Sequence, residues 1–151
     1  MNKFMKMAIK EAQNGISCGH GGPFGAVIVK DGKVVSKGHN CVVVNNDPTC
    51  HGEINVIRKA CKKLKTFNLT GCEIYTTGYP CPMCFGAILW ANINKVYYGC
   101  NTTDTEIIGF RDKAFEEGIS QKKLDICEEL NRKECLNLYE DYKKMQNKTM
   151  Y

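Results

Sequence analysis

The sequence predicts an α/β sandwich built on a mixed sheet, and three observations carry that prediction. Asp31-Gly32 separates two apolar runs, the strongest short-range signal of a β-hairpin. The strand-like "CEIYTT" and "KVYYGC" flank a helical "MCFGAILWAN", an order that implies a right-handed parallel crossover from residues 72–77 to 95–100. Amphipathic helical patterns before, between and after these strands supply covering layers on both faces.

The elements follow in order. Residues 1–16 place Met5, Ala8, Ile9, Ala12 and Ile16 at helical spacing. Lys3, Lys6, Lys10 and Glu11 interrupt any apolar run of the secretory kind there. "FGAVIVKDGKVVSKGHN" is the hairpin. After the turn-like "NNDP", the stretch "HGEINVIRKACKKL" puts Ile54, Ile57, Cys61 and Leu64 on one helix face, with Thr49 or Cys50 near its start. Pro82 falls near the first position of the next helix, where its missing N–H costs nothing. "TEIIGFRDKAFEEG" and "NRKECLNLYEDYKKMQNK" read as helical, the second with an apolar stripe of Cys135, Leu138, Tyr139, Tyr142 and Met145. No repeat or linker divides the chain, so residues 1–151 are expected to form a single domain.

With 151 residues the chain is long enough to bury a core without crosslinks, and 43% hydrophobic and 25% charged residues describe an ordinary soluble globule. No stretch approaches the apolar length of a membrane span. Ten cysteines without an export signal are expected to be reduced thiols in a cytoplasm, most of them small buried hydrophobes. The net charge of +5 is modest, and much of it lies in "RKACKKLK". Arg58, Lys59, Lys62 and Lys63 there form either a solvated helix face or a phosphate-attracting one.

Only Cys81 and Cys84 form a close cysteine pair. They open one helix, whereas His51 and Glu53 open another. Ligand sites of open α/β sheets gather beyond the carboxyl ends of strands, where helix N-termini converge, so the four can meet in one cleft. Two thiolates three residues apart with one imidazole favour zinc, and three protein ligands leave a fourth tetrahedral position for water. Zinc lowers the pKa of such a water from 15.7 toward roughly 7. Glu53, two residues from His51, is placed to carry the proton to a leaving amine. The competing readings are a closed zinc site that borrows Cys50, and a redox dithiol. The order His-x-Glu followed by Pro-Cys-x-x-Cys is a signature of zinc deaminases.

The chain resembles the cytidine-deaminase-like superfamily and, within it, the bacterial guanine deaminases. "GGPFGAVIVKDG", "NDPTCHGE", "PCPMCFGAILWA", "GFRD" and Tyr151 carry the resemblance over nearly the whole length. It implies a three-layer α/β/α sandwich with a central five-stranded mixed sheet. It also implies one Zn2+ per chain, held by His51, Cys81 and Cys84, and hydrolytic loss of the guanine 2-amino group with Glu53 as proton shuttle. Asn40 matches an asparagine that hydrogen-bonds the purine, Phe24 an aromatic wall and Asp112 an acidic residue at the amidine side. Gly52 matches a residue that offers its backbone N–H, and Tyr151 one that closes the pocket. A cytoplasmic homodimer follows from the same resemblance, with C-terminal segments (about 131–151) exchanged to cap the partner's site. By residue type alone, Phe24 is equally a core aromatic, Asp112 a helix-surface charge and Tyr151 a frayed end.

Two positions depart from the family pattern. Tyr79 stands where the family usually has Glu, and Gly52 where it usually has Ala. The rival readings are a tRNA adenosine deaminase, a deaminase of cytosine or guanosine, and a zinc-stabilised binding module without activity. "GFRD", Tyr151 and the modest net charge speak against nucleic acid as the substrate.

Overall fold

A computed structural model describes residues 1–121, 126, 129–146 and 149. In chain order the elements are α1 (Lys3–Ser17), β1 (Gly25–Lys30), β2 (Lys33–His39), α2 (Val42–Asn45), α3 (Gly52–Leu64) and β3 (Cys72–Gly78). There follow α4 (Pro82–Trp90), β4 (Lys95–Cys100), α5 (Thr102–Ile107), α6 (Asp112–Ser120) and α7 (Arg132–Lys144). The strands form one mixed sheet in the order β2-β1-β3-β4. Asp31 and Gly32 both have positive φ, as a two-residue hairpin turn demands, and β1 pairs antiparallel with β2. β3 and β4 pair in parallel with α4 between them in the chain, as a crossover connection requires.

The expected fifth strand is not found among the described residues, where the sheet has four strands. After β4 the chain turns at once into α5, whose N-terminus Asn101 and Asp104 close in a capping box. The remaining described elements, α6 and α7, are helical as well.

Alternation along β1 sorts the core into two layers. Val27 and Val29, with Tyr75 of β3, pack on Phe4 and Ala8 of α1. Ala26 and Ile28, with Cys72 and Ile74, pack on Val56 and Ala60 of α3 and Ile88 of α4. Both helix seams differ from the sequence expectation. In α1 the buried set is Phe4, Ala8, Ala12 and Gly15, while Ile16 is exposed. In α3 it is Gly52, Glu53, Val56 and Ala60, while Ile54, Ile57 and Cys61 are half-buried and Leu64 is exposed. Small residues win the central line because they let backbone meet backbone. A Cβ added at Gly25 would strike the Ala8 carbonyl oxygen and lie 2.6 Å from Ala12 N.

Lys59 and Lys63 donate to the carbonyls of Lys37 and Val35 on the edge strand β2, at 3.2 and 2.9 Å. That half of the basic run is engaged with the protein's own backbone. Of the cysteines outside the Cys81/Cys84 pair, Cys50 and Cys72 are buried and Cys41 and Cys61 half-buried. Cys18, Cys100 and Cys135 are exposed, contrary to the expectation of burial, because they lie at a helix cap, the outer end of edge strand β4 and the solvent-facing α7. Cys127 lies outside the described residues. No helix of the described residues is long and apolar enough to cross a membrane.

Candidate active site

The turn before α3 sets up the site. Asp47 Oδ1 accepts from Thr49 N at 2.8 Å and Thr49 Oγ1 at 2.7 Å, and Cys50 Sγ donates to Oδ2 at 3.1 Å. The bonds from Thr49 and Cys50 hold the Asp47 carboxyl down at about 2. Asn55 Nδ2 then ties α3 back to the His39 and Cys50 carbonyls, at 2.9 and 3.2 Å. This anchored turn delivers His51 at the N-cap of α3. Cys81 occupies the N-cap of α4, with Pro82 inside the first turn and Pro80 fully buried before it.

Three donors converge between the two helix ends. His51 Nδ1 is 3.6 Å from Cys81 Sγ and 3.5 Å from Cys84 Sγ. Tetrahedral zinc with ordinary Zn–S and Zn–N bonds sets such N···S distances at about 3.6 Å. His51, Cys81 and Cys84 therefore already have the spacing zinc requires. Cys50 is bonded to Asp47 and is not in this group, so among the described residues the closed-site reading has no fourth ligand.

The electrostatics of the protein groups alone favour one thiolate, on Cys81. The bond from Cys84, then that from His51, brings the Cys81 thiol down to about 4. Cys84, which donates to Cys81 and is buried, is pushed upward. Cys81 in turn holds the His51 imidazole above its usual range. Both helix N-termini add positive potential that favours thiolate.

Glu53 stands beside the three donors without joining them. It is buried, with Cys84 Sγ donating to its Oε2 at 3.5 Å. Burial raises the Glu53 carboxyl to about 7, close to the value at which a carboxylate accepts and releases a proton most readily at neutral pH.

A cavity of about 380 Å³ opens over this group. His51, Glu53 and Cys81 form its floor and Asn40, Phe24, Tyr79 and Asp112 are in its walls. Asn40 is buried in the cavity wall, and its Oδ1 accepts from Val42 N at 3.1 Å, which fixes the orientation of the amide. Asp112 opens α6 half-buried, and burial raises its carboxyl, with Cys81 adding in the same direction. Cys84 and Gly52 lie behind the wall. A Cβ at Gly52 would come 3.1 Å from the Phe24 carbonyl oxygen, so the usual alanine is already a tight fit. Tyr151 lies outside the described residues.

Sequence reasoning missed half of the aromatic wall. Phe110 meets Phe24 edge-to-face at 4.8 Å, and its signal was its place in the same "GFRD" as Asp112. Gly22 and Arg111, inside "GGPFGAVIVKDG" and "GFRD", also line the cavity, as do Val42, Val43, Pro48 and Phe115, which had no such signal. Tyr79 contacts Tyr98 edge-to-face at 5.1 Å and stacks on Phe85 at 6.1 Å, which fixes its ring at the rim.

Comparison with known proteins gives this arrangement relatives. Residues 1–100 match the family described as the cytidine and deoxycytidylate deaminase zinc-binding region. A guanine deaminase of Bacillus subtilis (strain 168) is 50% identical over 109 residues, covering 72% of this chain and 70% of the relative. A crystal structure of guanine deaminase from Bacillus subtilis superposes with TM-score 0.92 at 40% identity, covering 100% of this chain and 99% of that one. A structure from a study of tRNA:A34 deaminases superposes with TM-score 0.63 at 42% identity, covering 65% and 75% of the two chains.

Proposed function

The chain belongs to the cytidine and deoxycytidylate deaminase family, and from that premise we infer that it is a zinc-dependent aminohydrolase that converts guanine and water to xanthine and ammonia. One observation carries guanine over adenosine in RNA. The likeness to a guanine deaminase extends over 100% of this chain at TM-score 0.92, whereas the tRNA deaminase structure superposes over 65% at 0.63.

Zinc, held by His51, Cys81 and Cys84, supplies the Lewis acidity that makes water a nucleophile near neutral pH. The Glu53 carboxylate takes the proton from the attacking water and returns it to the departing 2-amino nitrogen. Its raised pKa suits both directions of that transfer. Asn40 Nδ2 donates to the acceptor edge of the purine. Its oxygen is held by Val42 N, which fixes the orientation of the amide. Asp112 accepts from the adjacent N–H donors of guanine, and Phe24 with Phe110 forms the flat wall on which the ring lies.

Asp112→Asn should lower kcat/KM for guanine by roughly 10- to 100-fold, because a hydrogen bond to a charged group contributes about 1.5–3 kcal/mol. Steady-state kinetics with unchanged zinc content test this. Guanine kinetics equal to the parent's would remove Asp112 from the pocket.

The functional unit is a homodimer whose C-terminal segments, about residues 131–151, cross to cover the partner's pocket with Tyr151. Supporting this, α7 buries none of its residues, Leu138 and Tyr139 on it and Met145 at its C-cap are largely exposed, and Tyr97 and Tyr98 are exposed on edge strand β4. Sedimentation equilibrium should give twice the 17.0 kDa chain mass. A monomer at assay concentration contradicts the exchange. The nine described cysteines are all free thiols, which fits a cytoplasmic setting.

A further inference from the structure

We propose that His20, His39 and Cys41 form a second divalent-metal site, suited to zinc, that none of the pocket chemistry uses. One donor atom from each lies within 4.8 Å of the others. The sequence has three histidines. One is His51, and the other two meet here.

The three side chains come from separate parts of the chain: the loop after α1, the last residue of β2 and the N-cap of α2. His20 Nδ1 is 2.9 Å from His39 Nε2. The other ring nitrogen of His39, Nδ1, is 3.4 Å from Glu11 Oε2, and Glu11 is itself anchored by Lys37 at 3.0 Å. A carboxylate behind an imidazole is the arrangement that orients metal-binding histidines, fixing the proton on one nitrogen and leaving the other's lone pair for the ion. Here that free nitrogen is His39 Nε2, the one that faces His20.

The surroundings hold these groups in place. Val43 N and Val44 N donate to the His20 carbonyl, at 3.0 and 3.2 Å, so the loop is fixed by its backbone. A Cβ at Gly15 would come 2.7 Å from His39 Cδ2, so α1 leaves the ring its space only by having glycine there. Cys41 Sγ has a single long bond, 3.5 Å to the His39 carbonyl, which a thiolate would give up at little cost. All three residues are half-buried, which leaves a fourth position to a donor from solvent. Two imidazole nitrogens and one sulfur suit zinc over magnesium or calcium. Tetrahedral zinc sets its nitrogens about 3.3 Å apart, so the two rings would part by a few tenths of an ångström as the ion replaces their mutual hydrogen bond. Asn40 lies between His39 and Cys41, so occupancy would also stiffen the segment that carries the cavity-facing amide.

The test is a titration with zinc alone, against a chromophoric chelator, of protein that already holds one zinc in the pocket. The parent should bind one further zinc per chain. Cys41→Ser and His20→Asn should each bind that zinc at least tenfold more weakly, with unchanged circular dichroism. His39 is left intact because its ring packs on Gly15. A parent that takes up no second zinc overturns the proposal, and so does either variant binding it as tightly as the parent. Guanine turnover is measured on the same samples, so failure of this site and failure of the pocket reading are separately visible.

Discussion

Glu53→Gln should lower guanine turnover by roughly 10²–10⁴-fold while zinc content and fold stay as in the parent, the range that general acid–base catalysis supplies. Glutamine keeps the shape of the side chain and a carbonyl oxygen for the Cys84 thiol, but it cannot take up or release a proton. Glu53 is buried, stands outside the three-donor group and has its carboxyl raised to about 7, so the substitution removes the proton shuttle and leaves the donors intact. Ammonia release and metal analysis on the same preparation check both halves. A variant with near-parental turnover would make Glu53 a structural carboxylate.

Cys84→Ser should have the largest effect on stability. Cys84 is fully buried between Cys81 and Glu53 and lies at the zinc spacing from His51. A serine oxygen is shorter and harder, so the variant should lose tightly held zinc and with it all measurable turnover. At free zinc 1,000 times the dissociation constant, bound metal stabilises the folded chain by about 4 kcal/mol. For a chain of this size that corresponds to a fall in Tm of roughly 8–16 °C. Thermal unfolding of the parent with a strong chelator should reproduce most of that fall. Equal Tm values with and without the chelator would show that the three donors do not hold the metal.

The parts of the fold legible in the sequence were those with local causes. Asp31-Gly32 specifies its turn by backbone conformation. The segment from Cys72 to Cys100 specifies a crossover because two short strands flank a helix opened by Pro82. The zinc donors were legible because the residue types at fixed spacing leave few other uses for them. Asp112 and Asn40 came from resemblance, and the structure adds that Val42 N holds the Asn40 amide oxygen.

What could not be read depended on packing partners. The apolar stripe Ile54, Ile57, Cys61 has the right period for a core face, yet the narrower line Gly52, Val56, Ala60 lies against the sheet. Close approach rewards small residues, and hydrophobic periodicity alone cannot measure distance. Cys100 and Cys135 are exposed for the same kind of reason, since thiols follow the surface their element presents. His20, His39 and Cys41 are brought together only by the hairpin and the loops on either side of it, and their spacing in the sequence resembles no ligand motif.

The most direct measurement is ammonia release by the zinc-loaded protein on guanine, guanosine, cytosine, cytidine, adenine and an adenosine-bearing tRNA stem-loop. Turnover of guanine with stoichiometric xanthine, well above that of the other five, is the predicted result. Activity confined to the stem-loop would contradict it and would move Asp112 out of the base pocket, and silence on all six would contradict the assignment of guanine with Tyr79 at the rim.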